Sequence, residues 1–326
     1  MTSTAAFDAS PILIDVVRNG FVESVHRGRM VVTSPDGHIE ASLGDVTAPF
    51  YPRSANKPMQ ALAMLRSGLD VQGALLALCA ASHSGEDFHL VGVREILAGA
   101  GLGVDALQNT PDYPVDETAR DAWIRSGHGK ESLSQNCSGK HAGMLRTCVR
   151  AGWSTEDYLD PSHPLQVEVA ATVAELAGEA SSLGIDGCGA PLFAMPLQGL
   201  AHAFGRFAGA GGGDLKLIAD ACRHHPEYVS GTGREELSLH RAVPGLMVKG
   251  GAEGCVALGL ADGRGMAIKV DDGNPRGVYA LASAVLKHLG HAHPLLDALS
   301  TPPVLGHGQP VGVIKVHDGV VAQLFA

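Results

Sequence analysis

The chain has 326 residues, 45% hydrophobic and 18% charged, which excludes a disordered chain and leaves room for one large or two modest domains. Its formal charge of -10, from 24 basic and 34 acidic side chains, gains nothing from counterion release on a phosphate backbone, and the 5% aromatic content offers few stacking platforms, so no nucleic-acid partner is expected. There are 42 glycines without a collagen period, which places them in turns, close backbone approaches or a site.

In chain order, Ile12 to Val17, Phe21 to His26, Met30 to Thr33 and Ile39 to Leu43 alternate as strands, with Pro35-Asp36-Gly37 as a turn. No basic residue precedes Arg18 and Asp15 interrupts the first apolar run, so no secretory signal is expected and the expected compartment is the cytoplasm. From Asn56 the period becomes helical, over Pro58 to Arg66, Val71 to Ala80, Leu90 to Ala98, Glu117 to Arg125, His141 to Val149, Pro164 to Leu176, Leu197 to Phe204 and Leu215 to Cys222. The uncharged stretch Gly187 to Gly205 contains Pro191, Pro196, Gln198 and His202 and reads as core, so no membrane partner is expected. FAGAGGGD, Phe207 to Asp214, is the best mobile-loop candidate but looks too short to separate domains. Strands return at Leu246 to Lys249, Cys255 to Leu260 and Met266 to Val270. After a helix near Gly277 to Leu289 come strands at Gly312 to Val316 and Val320 to Phe325. Strand blocks at both ends imply one antiparallel sheet closed by the termini, with residues 1–53 and 240–326 as the sheet region and 54–239 as a mainly helical region of a single catalytic unit.

Several segments carry reactive side chains. Ser54-Ala55-Asn56-Lys57 places a lysine one helical turn beyond a serine, where a neutral amine can take the hydroxyl proton; the alternative is Ser54 as helix N-cap with an exposed Lys57. Ser82 and Ser84 lie in Ala81-Ser82-His83-Ser84-Gly85-Glu86, either relaying a proton to a leaving amine or capping a loop. Cys137, Lys140 and His141 share one face of a helix starting at Ser138, and a cysteine at a helix N-terminus beside a lysine suits a nucleophile or a metal ligand. Asp186 and Cys188 are interleaved with glycines in an irregular loop. Lys249 and Lys269 end or occupy strands, where a lysine either faces water or, beside a serine, holds a substrate carboxylate or keeps a second serine deprotonated. Six cysteines without an export signal read as reduced thiols.

Together, PRSANKPMQ, ASHSGE, CSGKHAGML, GIDGCGAP and KGGAEG followed by IKVDDG resemble, in order and over most of the chain, the L-asparaginase II family of the rhizobial, thermolabile type. The resemblance implies the serine β-lactamase/transpeptidase-like fold shared with glutaminases: α/β of the α+β type, an antiparallel sheet from both chain ends flanked by helices. It implies hydrolysis of the side-chain amide of L-asparagine to L-aspartate and ammonia through an acyl-enzyme, in a homodimer. Residue by residue it implies Ser54 with Lys57 as one serine–lysine pair and Ser82 with Lys269 as a second. Ser82 is preferred to Ser84 for its position relative to the CSGKH block. It further implies a zinc site of Cys137, Lys140 and Cys188, with His141, Asp186 and Cys255 around it; with Arg53 and Ser84 these are the substrate-binding candidates. Backbone N–H groups near Ser54 or Ser82 are expected to receive the oxyanion. Two alternatives stay open: a penicillin-recognising hydrolase or esterase of the same fold, and a non-enzymatic zinc or thiol sensor built on Cys137 and Cys188.

Overall fold

Alternating and β-branched residues make strands of both chain ends, and those strands pair with one another. The computed structural model describes residues 5–8, 10–178 and 182–326. Its strands in chain order are β1 (Ile12–Arg18), β2 (Phe21–Thr33), β3 (Ile39–Leu43), β4 (Pro49–Phe50), β5 (Leu183–Ile185), β6 (Pro191–Phe193), β7 (Met195–Pro196), β8 (Met247–Gly251), β9 (Cys255–Gly259), β10 (Gly265–Val270), β11 (Pro303–Gly306) and β12 (Gln309–Val316). The eight-stranded sheet runs β11-β12-β1-β2-β10-β9-β8, with β3 also paired to β2, and is antiparallel throughout. The α/β architecture expected from the sequence, a sheet from both ends with helices inserted, is the one observed.

Two local expectations change. Phe21–His26 and Met30–Thr33 are one strand, because the first part of β2 pairs with β1 and the second with β10 and β3. Gly28 lies between them, and a Cβ there would run into the backbone of Lys269, so the residue that resembles a break permits the crossing. Val320–Leu324 is a helix rather than the strand expected over Val320 to Phe325. Val320 and Leu324, at i and i+4, are buried in the core while Ala322 between them is exposed, a pattern that suits a helix and not a strand, which would turn all three to one face.

The chain divides into two compact units. The first comprises Met1–Ala55, Met195–Gly209 and Ser238–Ala326; the second comprises Asn56–Ala194 and Ala210–Leu237. The chain crosses between them within FAGAGGGD, where only Gly209 to Gly212 separates helices Leu197–Ala208 and Gly213–His224.

In the first unit, helix Val278–His288 inserts Val278, Leu281, Ala282, Val285 and Leu286 into a core shared with β1, β2, β9 and β10. Helix Leu197–Ala208 packs on β2, β9 and β10. It approaches closely because Gly259 and Gly265 carry no Cβ that would meet the carbonyls of Phe204 and Ala201. In the second unit, helix Ser138–Ala151 touches the helices Lys57–Arg66, Gly73–Cys79, Asp87–Ala98 and Pro164–Ala177. It is buried continuously from Ser138 to Leu145, as a helix enclosed by neighbours must be. That burial removes Lys140 and His141 from water. No helix among the described residues is long and apolar enough to cross a membrane.

Candidate active site

The first unit carries Arg53, Ser54, Cys255 and Lys269. Arg53 opens a 3-10 helix, Arg53–Asn56, in the left-handed region with φ 51°, a conformation that costs a non-glycine residue about 1 kcal/mol or more. This bend sets Ser54 on its short turn. Gly251 on β8 backs the turn: a Cβ there would lie 3.0 Å from Ala55 N. Arg53 Nη1 is 3.6 Å from Glu253 Oε1, and Glu253 is itself left-handed at φ 63°. The N-cap of the following helix is Asn56, not Ser54, so the capping alternative for Ser54 does not hold.

Lys269 lies on β10 opposite Arg29 on β2 and Cys255 on β9. Burial pushes its amine below the ordinary lysine value and Arg29 adds to this, while Cys255 and Asp271 oppose it. Its Nζ donates to the Val270 carbonyl. Burial drives the Cys255 thiol up to about 12, so it is a neutral neighbour of that lysine.

The second unit carries the rest. Lys57 is 1% exposed, which excludes the solvated-lysine alternative. Its Nζ donates to Ala81 O at 2.5 Å, Ser82 Oγ at 3.0 Å and Cys137 Sγ at 3.1 Å, joining three sequence blocks. Ser84 is buried and its hydroxyl donates to Ser230 O at 2.9 Å. The Ser82 N–H donates to Val229 O, and in the first unit the Ala55 N–H donates to Pro52 O, so neither is turned toward an oxyanion in this structure.

Cys137, Lys140 and Cys188 are brought together. Lys140 Nζ is 3.1 Å from Cys188 Sγ, and the Cys137 thiol, which donates to Asn136 Oδ1 at 3.1 Å, also hydrogen-bonds to the Cys188 sulfur. That hydrogen bond brings Cys188 down to about 5 against the effect of burial, with Lys140 assisting, whereas the same bond and burial hold Cys137 up at about 12. The pair therefore keeps one proton, on Cys137, beside a Cys188 thiolate. Burial disfavours the Lys140 ammonium, but the Cys188 thiolate and Asp186 oppose it and the net direction is upward. Asp186 Oδ2 stands 3.8 Å from Cys188 Sγ. Among the described residues no three His, Cys, Asp or Glu side chains form a metal-holding group; this set is two thiols and an amine.

His141 is fully buried, and burial pushes its pKa well below the usual histidine value. His83, also fully buried, accepts the Gly85 N–H at Nδ1, so its Nε2–H donates to Ser138 Oγ at 2.8 Å. It ties the ASHSGE loop to the start of helix Ser138–Ala151. The motif contained this residue, but only the structure gives it a role. Tyr158, which contacts His141, lies in no motif, and no sequence signal marks it.

A family model described as L-asparaginase II matches residues 14–316. No curated protein matches the chain. Among solved structures, the chain is similar to Mglu in its native form, at 15% identity over 88% of this chain and 71% of that one, with a TM-score of 0.46. It is also similar to a β-lactamase from Mycobacterium bovis, at 17% identity over 80% of this chain and 94% of that one, TM-score 0.43. A third similarity is to simvastatin synthase from Aspergillus terreus, at 10% identity over 84% of this chain and 90% of that one, TM-score 0.31.

Proposed function

The chain belongs to the L-asparaginase II family, and on that premise we propose that this amidohydrolase acts on L-asparagine, giving L-aspartate and ammonia through a serine acyl-enzyme. The observation that carries the reading is the buried Lys57 amine in contact with the Ser82 hydroxyl. Ser54 Oγ attacks the side-chain carboxamide carbon as Lys57, in its neutral form with one proton fewer than the three it donates here, takes the hydroxyl proton on its lone pair; the C–N bond then breaks, and Ser82 with Lys269 passes a proton to the departing ammonia. Water hydrolyses the acyl ester, releasing aspartate and restoring the serine. A second reading makes Ser82 the nucleophile with Lys57 as its base, and the 3.0 Å contact between them favours it. Arg53, Ser84, His141, Asp186 and Cys255 are the proposed substrate-binding residues.

Cys137, Lys140 and Cys188 would hold a zinc ion as two thiolates and a neutral amine. The convergence of Lys140 and Cys137 on Cys188 supports this, because thiolate and nitrogen are donors zinc accepts. Bound there, zinc would supply a fixed positive charge that orients a substrate carboxylate. A homodimer and a cytoplasmic location complete the proposal.

Ammonia release from L-asparagine, L-glutamine and simple amides, with nitrocefin hydrolysis alongside, separates the readings. Release from asparagine is the expected result. Nitrocefin turnover without ammonia would favour the penicillin-recognising alternative, and activity toward none of them would favour the thiol or zinc sensor.

A further inference from the structure

We propose that Tyr158 is a positioning residue that keeps a proton on His141 Nε2, so that His141 presents a hydrogen-bond donor to an oxygen of the bound amino-acid amide. Tyr158 and His141 are both fully buried, and Tyr158 Oη lies 2.8 Å from His141 Nδ1. The Tyr158 oxygen already accepts the Gln108 N–H at 3.3 Å. Its own proton therefore has Nδ1 as its acceptor, which places the imidazole proton on Nε2. The reverse arrangement, Nδ1–H donating to Tyr158, would leave the phenolic O–H buried with no acceptor, a costly loss. A doubly protonated ring also carries Nε2–H, so the conclusion is the same in either charge state.

His141 Nε2 is buried with no partner among the described residues. His141 stands four residues beyond Cys137, on the same side of the helix start. Leu159, next to Tyr158 in the chain, packs against Cys137, Cys188 and Ala190. The segment Tyr158-Leu159 thus backs the thiol cluster and orients the histidine beside it. A protonated Nε2 has no lone pair for a metal, so His141 serves as a donor and not as a ligand.

The choice of acceptor rests on the proposed amidohydrolase reading; the tautomer does not. Two measurements test the proposal on the full chain. In histidine labelled with nitrogen-15, the His141 signals, assigned by their loss in His141→Gln, should show a protonated Nε2 in the wild type; an unprotonated Nε2 overturns the proposal even if the protein has no amidase activity. In kinetics, Tyr158→Phe should lower kcat/KM for asparagine by about tenfold. In the His141→Gln background, whose amide N–H needs no tautomer, adding Tyr158→Phe should change kcat/KM less than about twofold. An equal loss in both backgrounds overturns the proposal, because Tyr158 would then act independently of His141.

Discussion

Lys57 Nζ donates to Ser82 Oγ across 3.0 Å, joining two residues 25 apart in the chain inside one compact unit. Lys57 is therefore in contact with one of the two candidate serines and three residues from the other. Replacing it with methionine keeps the apolar stem and removes the amine. Ammonia release by Lys57→Met should fall by about 10²–10⁴-fold, the usual contribution of a positioned acid or base. A melting temperature at or above the wild-type value would show that the loss is chemical and not structural.

The approach of helix Ser138–Ala151 to helix Gly73–Cys79 depends on Gly139. A Cβ at that position would lie 2.5 Å from Leu78 O and 2.7 Å from Leu78 Cγ. Backbone cannot move aside as a flexible side chain can, so Gly139→Ala should destabilise the fold by about 1–3 kcal/mol. Urea denaturation measures this, and an unchanged midpoint would mean that the helices can separate at little cost.

The thiol pair gives a pH dependence with a definite sign. Cys188 has a folded pKa of about 5, below the ordinary thiol value of ~8.5. A depressed pKa adds stability that is complete above the unfolded value and is lost as pH falls toward the folded one. Metal-free protein should therefore gain stability between about pH 5 and ~8.5. Its ultraviolet thiolate absorbance should persist at neutral pH and disappear in Cys188→Ser. Loss of the absorbance on acidification only near the ordinary thiol value would contradict this.

Zinc loading should release protons. Cys188 is already a thiolate, whereas Cys137 keeps its proton and Lys140 is an ammonium in the metal-free protein. Binding through all three should release one proton from Cys137 and one from Lys140. Titration calorimetry in buffers of different ionisation enthalpy counts them. Zinc binding without proton release would show that the ion is held elsewhere.

The sequence revealed most where local pattern and tertiary role agree. Strand alternation at both ends implied the shared sheet, and the Cys137–Lys140–His141 spacing implied a common helical face that the helix from Ser138 provides. It failed where tertiary context decides. Gly28 resembles a strand break but marks a close crossing, and Val320–Leu324 is a short apolar run whose type was fixed only by tertiary burial, with Val320 and Leu324 inside and Ala322 outside. The Lys57–Ser82 contact and the Tyr158–His141 bond join residues with no sequence relationship, so spacing could not show them.

The central claim is tested most directly by ammonia release from L-asparagine, measured for the full chain beside its Ser54→Ala and Ser82→Ala variants. The wild type should release ammonia together with aspartate, and each variant should lose at least about a hundredfold. No release by the wild type, or wild-type rates in both variants, would contradict the account.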